Sequence, residues 1–487
     1  MAFRHATSPY TGEVLGARPY FTPHSHTTLK GATIMSDVIA AIATPLVPSA
    51  IGIVRLSGDG AADVAGAVFS PVSGRPLRDA PNRKLVFGEL HNARGALIDR
   101  CLAVYTRAPN SYTGEDTVEL QCHGSPAVLT EALAALIACG ARQAGPGEFT
   151  KRAFLNGRMD LTQCEAVVDL IDAESAAAAS NAAGQLGGAV SQKTDGVYDA
   201  LRDILAHFHA VLDYPDEDIE PFQLAEYLQA LRSCRETLSA LLATCERGRL
   251  IRSGVRCALI GRPNVGKSSL LNALAGFDRV IVTSTPGTTR DAVEHAVTLG
   301  GLTVRLTDTA GIRETSDDIE RMGVARAEQA AGQSDLAIFV CDGSRPLGPE
   351  DARAIAQAKR APRAVALVNK SDLPAAVQAG ELPFETVISV SARTGEGLSA
   401  LSDYLAREFS AGAPADGSLL TNARQTDCVR RADAALARAM DALALGMTPD
   451  AVLTDVEDAM AALGELTGRS VSSDVTARIF ERFCVGK

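Results

Sequence analysis

The 487-residue sequence has no excess of positive charge, since 58 acidic residues outnumber 47 basic ones and give a net charge of -11. This balance argues against strong unspecific attraction to nucleic acid or to an anionic membrane. If RNA is a ligand, its binding must be local or shared with a partner. A composition of 46% hydrophobic and 22% charged residues excludes a disordered or fibrous chain. The length predicts about three domains.

The ten cysteines include no pair at the CxxC spacing that a zinc or redox site would use. They are scattered along the chain, and we expect mostly reduced, buried thiols. This usage is typical of a cytosol-like compartment. The sequence therefore predicts a cytoplasmic protein.

Long apolar runs are missing as well. The longest one, residues 38–54, is interrupted by Pro45 and Pro48 and is too broken for a membrane span. Residues 1–34 form an extension with several basic side chains but without the apolar core of a secretion signal. Three interpretations of this extension stay open: part of the protein, a segment before the true start at Met35, or a transit peptide.

Three kinds of pattern follow one another along the chain. Short β-type runs, such as residues 51–58 and 117–124, predict a mixed α/β domain over residues 35–150. Helical periodicity predicts packed amphipathic helices over residues 151–250 and again over 411–487. Over residues 251–410, apolar strands alternate with helices, which predicts a parallel sheet covered on both faces.

A phosphate loop is predicted at GRPNVGKS, residues 261–268, which follows an apolar strand and precedes a helix. Gly261 and Gly266 let the backbone turn so that its N–H groups point at phosphate oxygens. Lys267 would reach the β- and γ-phosphates, and Ser268 would bind Mg²⁺. We therefore expect a nucleotide at this loop.

Three further stretches indicate that the base is guanine. The sequence DTAG, residues 308–311, ends a strand with a carboxylate placed for Mg²⁺ through water. In NKSD, residues 369–372, the two oxygens of Asp372 match the paired N–H donors of guanine, whereas adenine would present an acceptor. In SAR, residues 391–393, the Ala392 N–H would meet the guanine carbonyl. These loops converge at the carboxyl ends of a parallel sheet.

The segment TSTPGTTRD, residues 283–291, is predicted to be a switch that closes on the γ-phosphate, with Thr289 as the second protein ligand of Mg²⁺. Ile312 follows DTAG where a Ras-like enzyme has glutamine, and an apolar side chain cannot orient water. Hydrolysis must therefore recruit another acid or amide and another cation. Asn264 is a candidate ligand for a monovalent ion.

Together these loops give the predicted GTP-binding set. Its members are Asn264, Val265, Gly266, Lys267, Ser268, Ser269, Thr283, Ser284, Thr285, Pro286, Gly287, Thr288, Thr289, Asp308, Thr309, Ala310, Gly311, Asn369, Lys370, Asp372, Ser391, Ala392 and Arg393.

From about Ile39 to the last residue, the chain resembles the tRNA modification GTPases called MnmE or TrmE. Besides the GTPase loops, the resemblance rests on GIVRLSG at 52–58, PNSYTGEDTVELQCHG at 109–124, GPGEFTKRAFLNGRMDLTQCEAVVDLIDA at 145–173 and RIFERFCVGK at 478–487. GTPase loops alone are shared by many families. The GEFTKRAFLNG run and the FCVGK end are far more discriminating.

The resemblance implies an N-terminal mixed α/β domain that binds folate and dimerises, a discontinuous helical domain, and an inserted Ras-like G domain. Such proteins form homodimers and act with an FAD-dependent partner, an assembly expected to be a heterotetramer. Together they attach an aminomethyl-type group to C5 of the tRNA wobble uridine. The one-carbon unit comes from a tetrahydrofolate derivative, 5-formyl or methylene.

The resemblance also implies residue roles. Formyl-tetrahydrofolate would contact Arg55, Glu119, Arg158 and Lys487, with Arg158 replacing a lysine that is frequent in the family. K⁺, in the place of an arginine finger, would be held by Asn264, Thr283, Thr285 and Thr288. Glu320 matches the carboxylate that organises the attacking water.

Two further residues each have more than one possible role. Cys484 matches a cysteine required for modification, but it could equally be a buried small hydrophobe beside Phe480 and Phe483. His123 could be a ligand or base, although a structural histidine that caps a helix is favoured. A different function also stays open, namely a GTP-dependent switch in ribosome assembly or iron handling without covalent tRNA chemistry.

Overall fold

The computed structural model describes residues 37–213, 224–277, 294–308, 332–410 and 416–470, with residues 476, 479–481 and 483–486 at the C-terminal end. The chain forms two compact units. Among the described residues, one unit comprises residues 37–160 and those from 476 onward, and the other comprises those between 161 and 470. In the described residues, no helix is both long enough and apolar enough to cross a membrane.

The first unit is built on one seven-stranded sheet. Its strands are β1 (Ile39–Ile42), β2 (Ser49–Ser57), β3 (Phe69–Pro71), β4 (Leu85–His91), β5 (Leu97–Thr106), β6 (Thr117–Gly124) and β7 (Arg142–Gln143). They lie in the order β3-β4-β5-β6-β2-β1-β7. The neighbours are antiparallel, apart from the parallel pair of β1 and β7.

Three helices complete this unit: α1 (Ala61–Val68), α2 (Pro126–Ala138) and α3 (Glu148–Leu155). Along β5, buried and partly exposed residues alternate from Cys101 to Thr106, as expected for a strand with one covered face. The covered face packs in a core with buried residues of α1 and α2, among them Ala65 and Leu129. The predicted mixed α/β character of this region is confirmed.

The C-terminal end packs in the first unit. A bridge joins Pro146 to Val485, and the ring centroids of Phe154 and Phe480 lie 6.3 Å apart. The sequence-based prediction grouped residues 151–160 and 472–487 with the helical domain instead. The residues that make these aromatic and backbone contacts are far apart in the sequence, so the local sequence pattern does not indicate the contacts. The predicted domain boundaries as a set stay a prediction.

The second unit begins with five helices. They are α4 (Leu161–Ile171), α5 (Ala176–Leu186), α6 (Ala189–Asp213), α7 (Leu224–Leu242) and α8 (Cys245–Ser253). The predicted periodicity is visible in α6, where Leu201 and Phe208 are buried and Leu205 is partly buried against the same core.

A six-stranded, mostly parallel sheet follows. In chain order its elements are β8 (Val255–Ile260), α9 (Lys267–Phe277), β9 (Glu294–Leu299), β10 (Leu302–Asp308), β11 (Leu336–Asp342), α10 (Pro349–Ala358), β12 (Ala364–Asn369), β13 (Val387–Ser389) and α11 (Leu398–Ser410). The strand order is β13-β12-β11-β8-β10-β9, and only the β9–β10 pair is antiparallel. Every residue of β11 is buried, as a central strand covered on both faces requires.

Two more helices, α12 (Ala423–Ala444) and α13 (Pro449–Thr467), follow the sheet. Asn422 caps α12, because its side chain accepts a hydrogen bond of 2.8 Å from the Gln425 backbone. Buried residues of α12 and α13 share one core with α6 and α7. Helices on either side of the parallel sheet in sequence are therefore neighbours in space.

Candidate functional site: the loops at the end of the parallel sheet

The loop after β8 has the geometry that close approach of phosphate requires. Gly266 and Asn264 adopt positive φ angles of 98° and 63°, conformations that glycine and asparagine tolerate best. A Cβ at Gly261 would lie 2.2 Å from the Val340 carbonyl oxygen, so no larger residue fits there. With α9 beginning at Lys267, the predicted order of strand, loop and helix is confirmed.

The loop wraps around the Lys267 ammonium. This side chain is only 5% exposed, and its Nζ donates to the Gly261 and Arg262 carbonyls at 2.6 and 2.9 Å. A buried cation at the first turn of a helix adds to the positive end of the helix dipole. The loop therefore concentrates positive potential where a phosphate chain would lie. Ser268 and Ser269 follow in the first turn of α9.

The base loops are joined to the phosphate loop by Asn369. Its Nδ2 donates to the Val265 carbonyl at 2.8 Å, while its Oδ1 accepts from the Ala392 backbone at 3.0 Å. Asn369 is 1% exposed, so both hydrogen bonds are shielded from water. Of the four loops that the sequence predicted to converge, this side chain joins three, namely residues 261–268, 369–372 and 391–393. Residues 309–311 of the fourth loop lie outside the described residues.

Asp372 is held for recognition of paired N–H donors. Ser391 donates to its Oδ1 at 2.6 Å, and Arg393 lies 3.8 Å from its other oxygen. The hydrogen bond from Ser391 lowers the pKa of Asp372 below its ordinary value. The carboxylate is therefore ionised at neutral pH, with Oδ2 available to a base.

Sequence reasoning missed Asp342, the last residue of β11. Lys370 has a positive φ of 66°, and its Nζ donates to Asp342 at 2.6 Å. Although burial opposes ionisation, hydrogen bonds from Lys370 and Ser344 lower the pKa of Asp342 to about 2. A carboxylate that ends a buried strand at the ligand-binding edge was the signal that could have identified it.

Asp351 was also missed. It is 1% exposed, and its Oδ2 accepts from the Gly348 backbone at 2.9 Å. Its other oxygen lies 3.4 Å from Nε of Arg262 in the phosphate loop. The pair connects that loop to the start of α10. Nothing in the sequence signals the pair, because 89 positions separate the two residues.

Several predicted site residues lie outside the described residues. They are Thr283, Ser284, Thr285, Pro286, Gly287, Thr288, Thr289, Thr309, Ala310, Gly311, Glu320 and Lys487. The backbone of Asp308 is described as the end of β10. The residues 1–34 of the predicted extension lie outside the described part as well.

The predicted folate residues fall in the first unit. Arg55 on β2 lies opposite Glu119 on β6, and its Nε donates to the Glu119 carboxylate at 2.8 Å. The Arg55 guanidinium also lies 5.6 and 5.8 Å from the ring centroids of Tyr112 and Phe149. Arg158 is exposed and follows α3. The structure brings together Arg55 and Glu119 in an aromatic setting.

Two interpretations of single residues change. Cys484 is exposed, so the alternative of a buried small hydrophobe is wrong. The Cys484 carbonyl accepts a hydrogen bond from the Gly147 backbone at 3.2 Å. The side chain of His123 does not cap a helix. Its Nδ1 lies 2.8 Å from Asp99 Oδ1 on the neighbouring strand.

Two family models match this chain. One is described as the GTP-binding protein TrmE N-terminus and matches residues 38–158; the other is described as the MnmE helical domain and matches residues 161–484.

Individual proteins are similar over nearly the whole chain. The tRNA modification GTPase MnmE of Roseiflexus castenholzii is 44% identical over 468 residues, covering 93% of this chain and 99% of that protein. The MnmE of a Thermus thermophilus strain is 44% identical over 463 residues, with the same shares. Among solved structures, the G domain of the T. maritima FeoB iron transporter is 29% identical, covers 32% of this chain and 98% of its own, and has a TM-score of 0.25.

Proposed function

Since the chain belongs to the MnmE family of tRNA modification GTPases, we propose that it is a K⁺-activated GTPase that acts with an FAD-dependent partner on the tRNA wobble uridine. Hydrolysis of GTP to GDP and phosphate drives the modification, and a tetrahydrofolate derivative supplies the one-carbon unit. The product carries a 5-carboxymethylaminomethyl or aminomethyl group. The reaction takes place in the cytoplasm.

The observation that carries the proposal is the convergence of the base and phosphate loops. Asn369 binds Val265 of the phosphate loop and Ala392 of the last base loop, and Ser391 orients the ionised Asp372. A carboxylate in this position selects guanine, because adenine would leave it facing an acceptor. The spacing of the loops thus supports one guanine nucleotide that lies along the end of the sheet.

The chain's own residues supply most of the phosphate chemistry. The loop amides and the Lys267 ammonium stabilise the negative charge of the phosphates, and Ser268 and Thr289 would hold Mg²⁺. The metal ion, when bound, neutralises charge that develops on the phosphate oxygens. Glu320 orients the attacking water in place of the glutamine that Ile312 cannot replace.

The residues proposed for K⁺ are Asn264, Thr283, Thr285 and Thr288. The donor set fits a monovalent cation, because it consists of uncharged oxygens without a carboxylate. Among these residues, the structure describes Asn264, which lies in the phosphate loop with its backbone carbonyl 3.5 Å from Lys370 Nζ. A supplied cation at the phosphates is worth about 10³- to 10⁵-fold in hydrolysis rate.

The folate site is proposed at Arg55, Glu119, Arg158 and Lys487. The Arg55 guanidinium stacks near two aromatic rings and is oriented by Glu119, so this region fits a planar heteroaromatic ring with hydrogen-bonding edges. The exposed Cys484 is proposed to take part in the modification chemistry. Its exposure supports this role better than a packing role.

GTP turnover in KCl compared with NaCl tests the cation mechanism. We expect fast hydrolysis only in KCl, and we expect Glu320→Ala to bind GTP but to hydrolyse it slowly. Equal, slow rates in the two salts would remove the K⁺ mechanism. Full activity of the Glu320→Ala protein would remove the proposed role of that carboxylate.

Nucleoside analysis of tRNA from cells that lack the protein separates this proposal from a ribosome-assembly switch. We expect loss of the modified wobble uridine and its return on complementation with the wild-type chain. Unaltered modification would favour the switch. The family match over residues 38–158 supports the modification enzyme.

The proposed assembly is a homodimer that joins two copies of the FAD-dependent partner in a heterotetramer and binds tRNA. Because the chain carries a net charge of -11, we expect the partner to contribute much of the tRNA-binding surface. Titration of tRNA with each protein alone and with the mixture measures this division. Sub-micromolar affinity of this chain alone would contradict it.

A further inference from the structure

A cluster of sulfur and oxygen ligands lies in the sheet of the first unit. Asp99, Cys101 and Cys122 each place one ligand atom within 4.8 Å of the others. In the part of the chain that the structure describes, no other group of three or more His, Cys, Asp or Glu side chains has its ligand atoms within this distance of one another. Cys101 lies on β5 and Cys122 on β6, each next to the antiparallel pair of Leu102 and Gln121.

Both thiols are enclosed. Cys101 and Cys122 are 4% and 2% exposed and belong to the core that includes Leu129 of α2. The hydrogen bond with Cys101, together with burial, raises the pKa of the Cys122 thiol far above its ordinary value.

A carboxylate is fixed beside these sulfurs. The Asp99 side chain is 10% exposed. Its Oδ1 accepts from the Arg100 backbone and faces Nδ1 of His123, both at 2.8 Å. Its Oδ2 accepts from the His123 backbone at 2.8 Å. These contacts orient the carboxylate and leave Oδ2 a second lone pair that it can give to a cation.

We propose that Cys101, Cys122 and Asp99 bind a zinc ion, with water as the fourth ligand and His123 as the residue that positions Asp99. Two sulfurs and one carboxylate oxygen are ligands that zinc prefers. With bonds of roughly 2.0–2.3 Å, a tetrahedral ion holds its ligands about 3–4 Å apart. The ligand atoms, which lie within 4.8 Å of one another, would have to move closer together to reach these distances.

The site releases protons when it fills. Zn²⁺ displaces one proton from each thiol, and the two thiolates and the carboxylate then balance its charge. Metal affinity must therefore rise with pH. The ion would link β5 to β6 within the first compact unit, and its ligands are remote in sequence from the guanine nucleotide loops.

Titration of the reduced, metal-free full chain with Co²⁺ tests the proposal. We expect one equivalent to produce thiolate-to-cobalt charge-transfer absorption and the visible bands of a tetrahedral site, and Zn²⁺ to abolish both. The double variant C101A/C122A should remove the charge-transfer band, because it has neither thiolate, and each single variant should weaken the band. Asp99→Asn and His123→Ala should weaken Zn²⁺ binding by about 10- to 100-fold.

Cys139→Ser is the matched control, because Cys139 packs against the same core but lies outside the cluster. It should leave the spectrum unchanged.

Circular dichroism of every variant in the absence of metal separates lost binding from lost folding, and GTP turnover should stay near wild type in all folded variants. A charge-transfer band that survives in the double variant C101A/C122A, or no band in the wild type, would overturn the site. The site would also be overturned if the protein carried a Cys101–Cys122 disulfide, detected as a mass two daltons lower, and bound no metal after that disulfide was reduced.

Discussion

Asn369 on β12 donates through Nδ2 to the Val265 carbonyl, 2.8 Å away, and thereby connects a base-recognition loop to the phosphate loop. The contact is shielded from water, because Asn369 is buried. The two halves of the nucleotide site are consequently preorganised relative to each other. Such preorganisation lowers the entropy cost of binding.

Asn369→Ala should therefore weaken GDP binding by about tenfold or more, since removal of the side chain leaves the Val265 and Ala392 backbone groups without their partner at about 1–3 kcal/mol. Titration with a fluorescent GDP analogue measures the change. Asn272→Ala, an exposed asparagine on α9, is the control. Equal affinities of the two variants would show that the connection does not matter for binding.

Asp372→Asn should change base selection. Asparagine presents one donor and one acceptor where the carboxylate presents two acceptors, so guanine loses a matched hydrogen bond and xanthine gains one. We expect the preference for GTP over XTP to fall by roughly 10²-fold or more. Competition binding with both nucleotides checks it, with Asp403→Asn on the exposed face of α11 as the control. An unchanged preference would mean that another group selects the base.

Asp351→Ala should loosen the phosphate loop. The substitution leaves Arg262, with a side chain only 22% exposed, without its partner, and removes the cap on the Gly348 backbone. We expect a loss of about 1–3 kcal/mol in unfolding free energy and faster release of GDP. Denaturant unfolding and stopped-flow nucleotide release measure the two effects. The neighbouring, exposed Glu350→Gln should change neither, and wild-type release from the Asp351→Ala protein would contradict the argument.

The acid stability of the first unit should depend on Glu148. Burial opposes ionisation, but hydrogen bonds from Arg142, the Gly145 backbone and Arg152 lower the pKa of Glu148 to about 2. Because the folded-state pKa lies below the ordinary value of 4.5, its contribution to stability is complete above about pH 5 and is lost as pH falls toward 2.

Glu148→Gln should therefore destabilise the protein by about 1–2 kcal/mol at pH 7 and by much less at pH 3. Unfolding must be followed by circular dichroism, because the chain contains no tryptophan. The exposed Asp59→Asn serves as the control. A destabilisation that is equal at both pH values would show that the charge of Glu148 is not the cause.

Local chemistry made the nucleotide site predictable. The apolar strand before GRPNVGKS and the helix after it lie where the sequence indicated, with β8 ending at Ile260 and α9 starting at Lys267. Turn glycines, apolar strands and acidic residues at strand ends can each be recognised from a few consecutive residues of the sequence. The predicted roles of residues in the Thr283–Thr289 segment and of Glu320 stay predictions, since they lie outside the described residues.

Contacts between distant segments were not predictable. The Arg262–Asp351 pair and the Cys101–Cys122 pair depend on how helices and strands are placed beside each other. The exposure of Cys484 likewise depends on the path of the last residues. One sequence without aligned relatives carries no signal for such pairings.

The placement of the C-terminal end has a consequence for biosynthesis. The Phe154–Phe480 contact joins positions more than three hundred residues apart. At about 5–20 residues per second, a ribosome needs roughly 16–65 s to travel between them. During that interval the emerging N-terminal unit lacks its last packing partners, and it is then a target for chaperones until translation is nearly over.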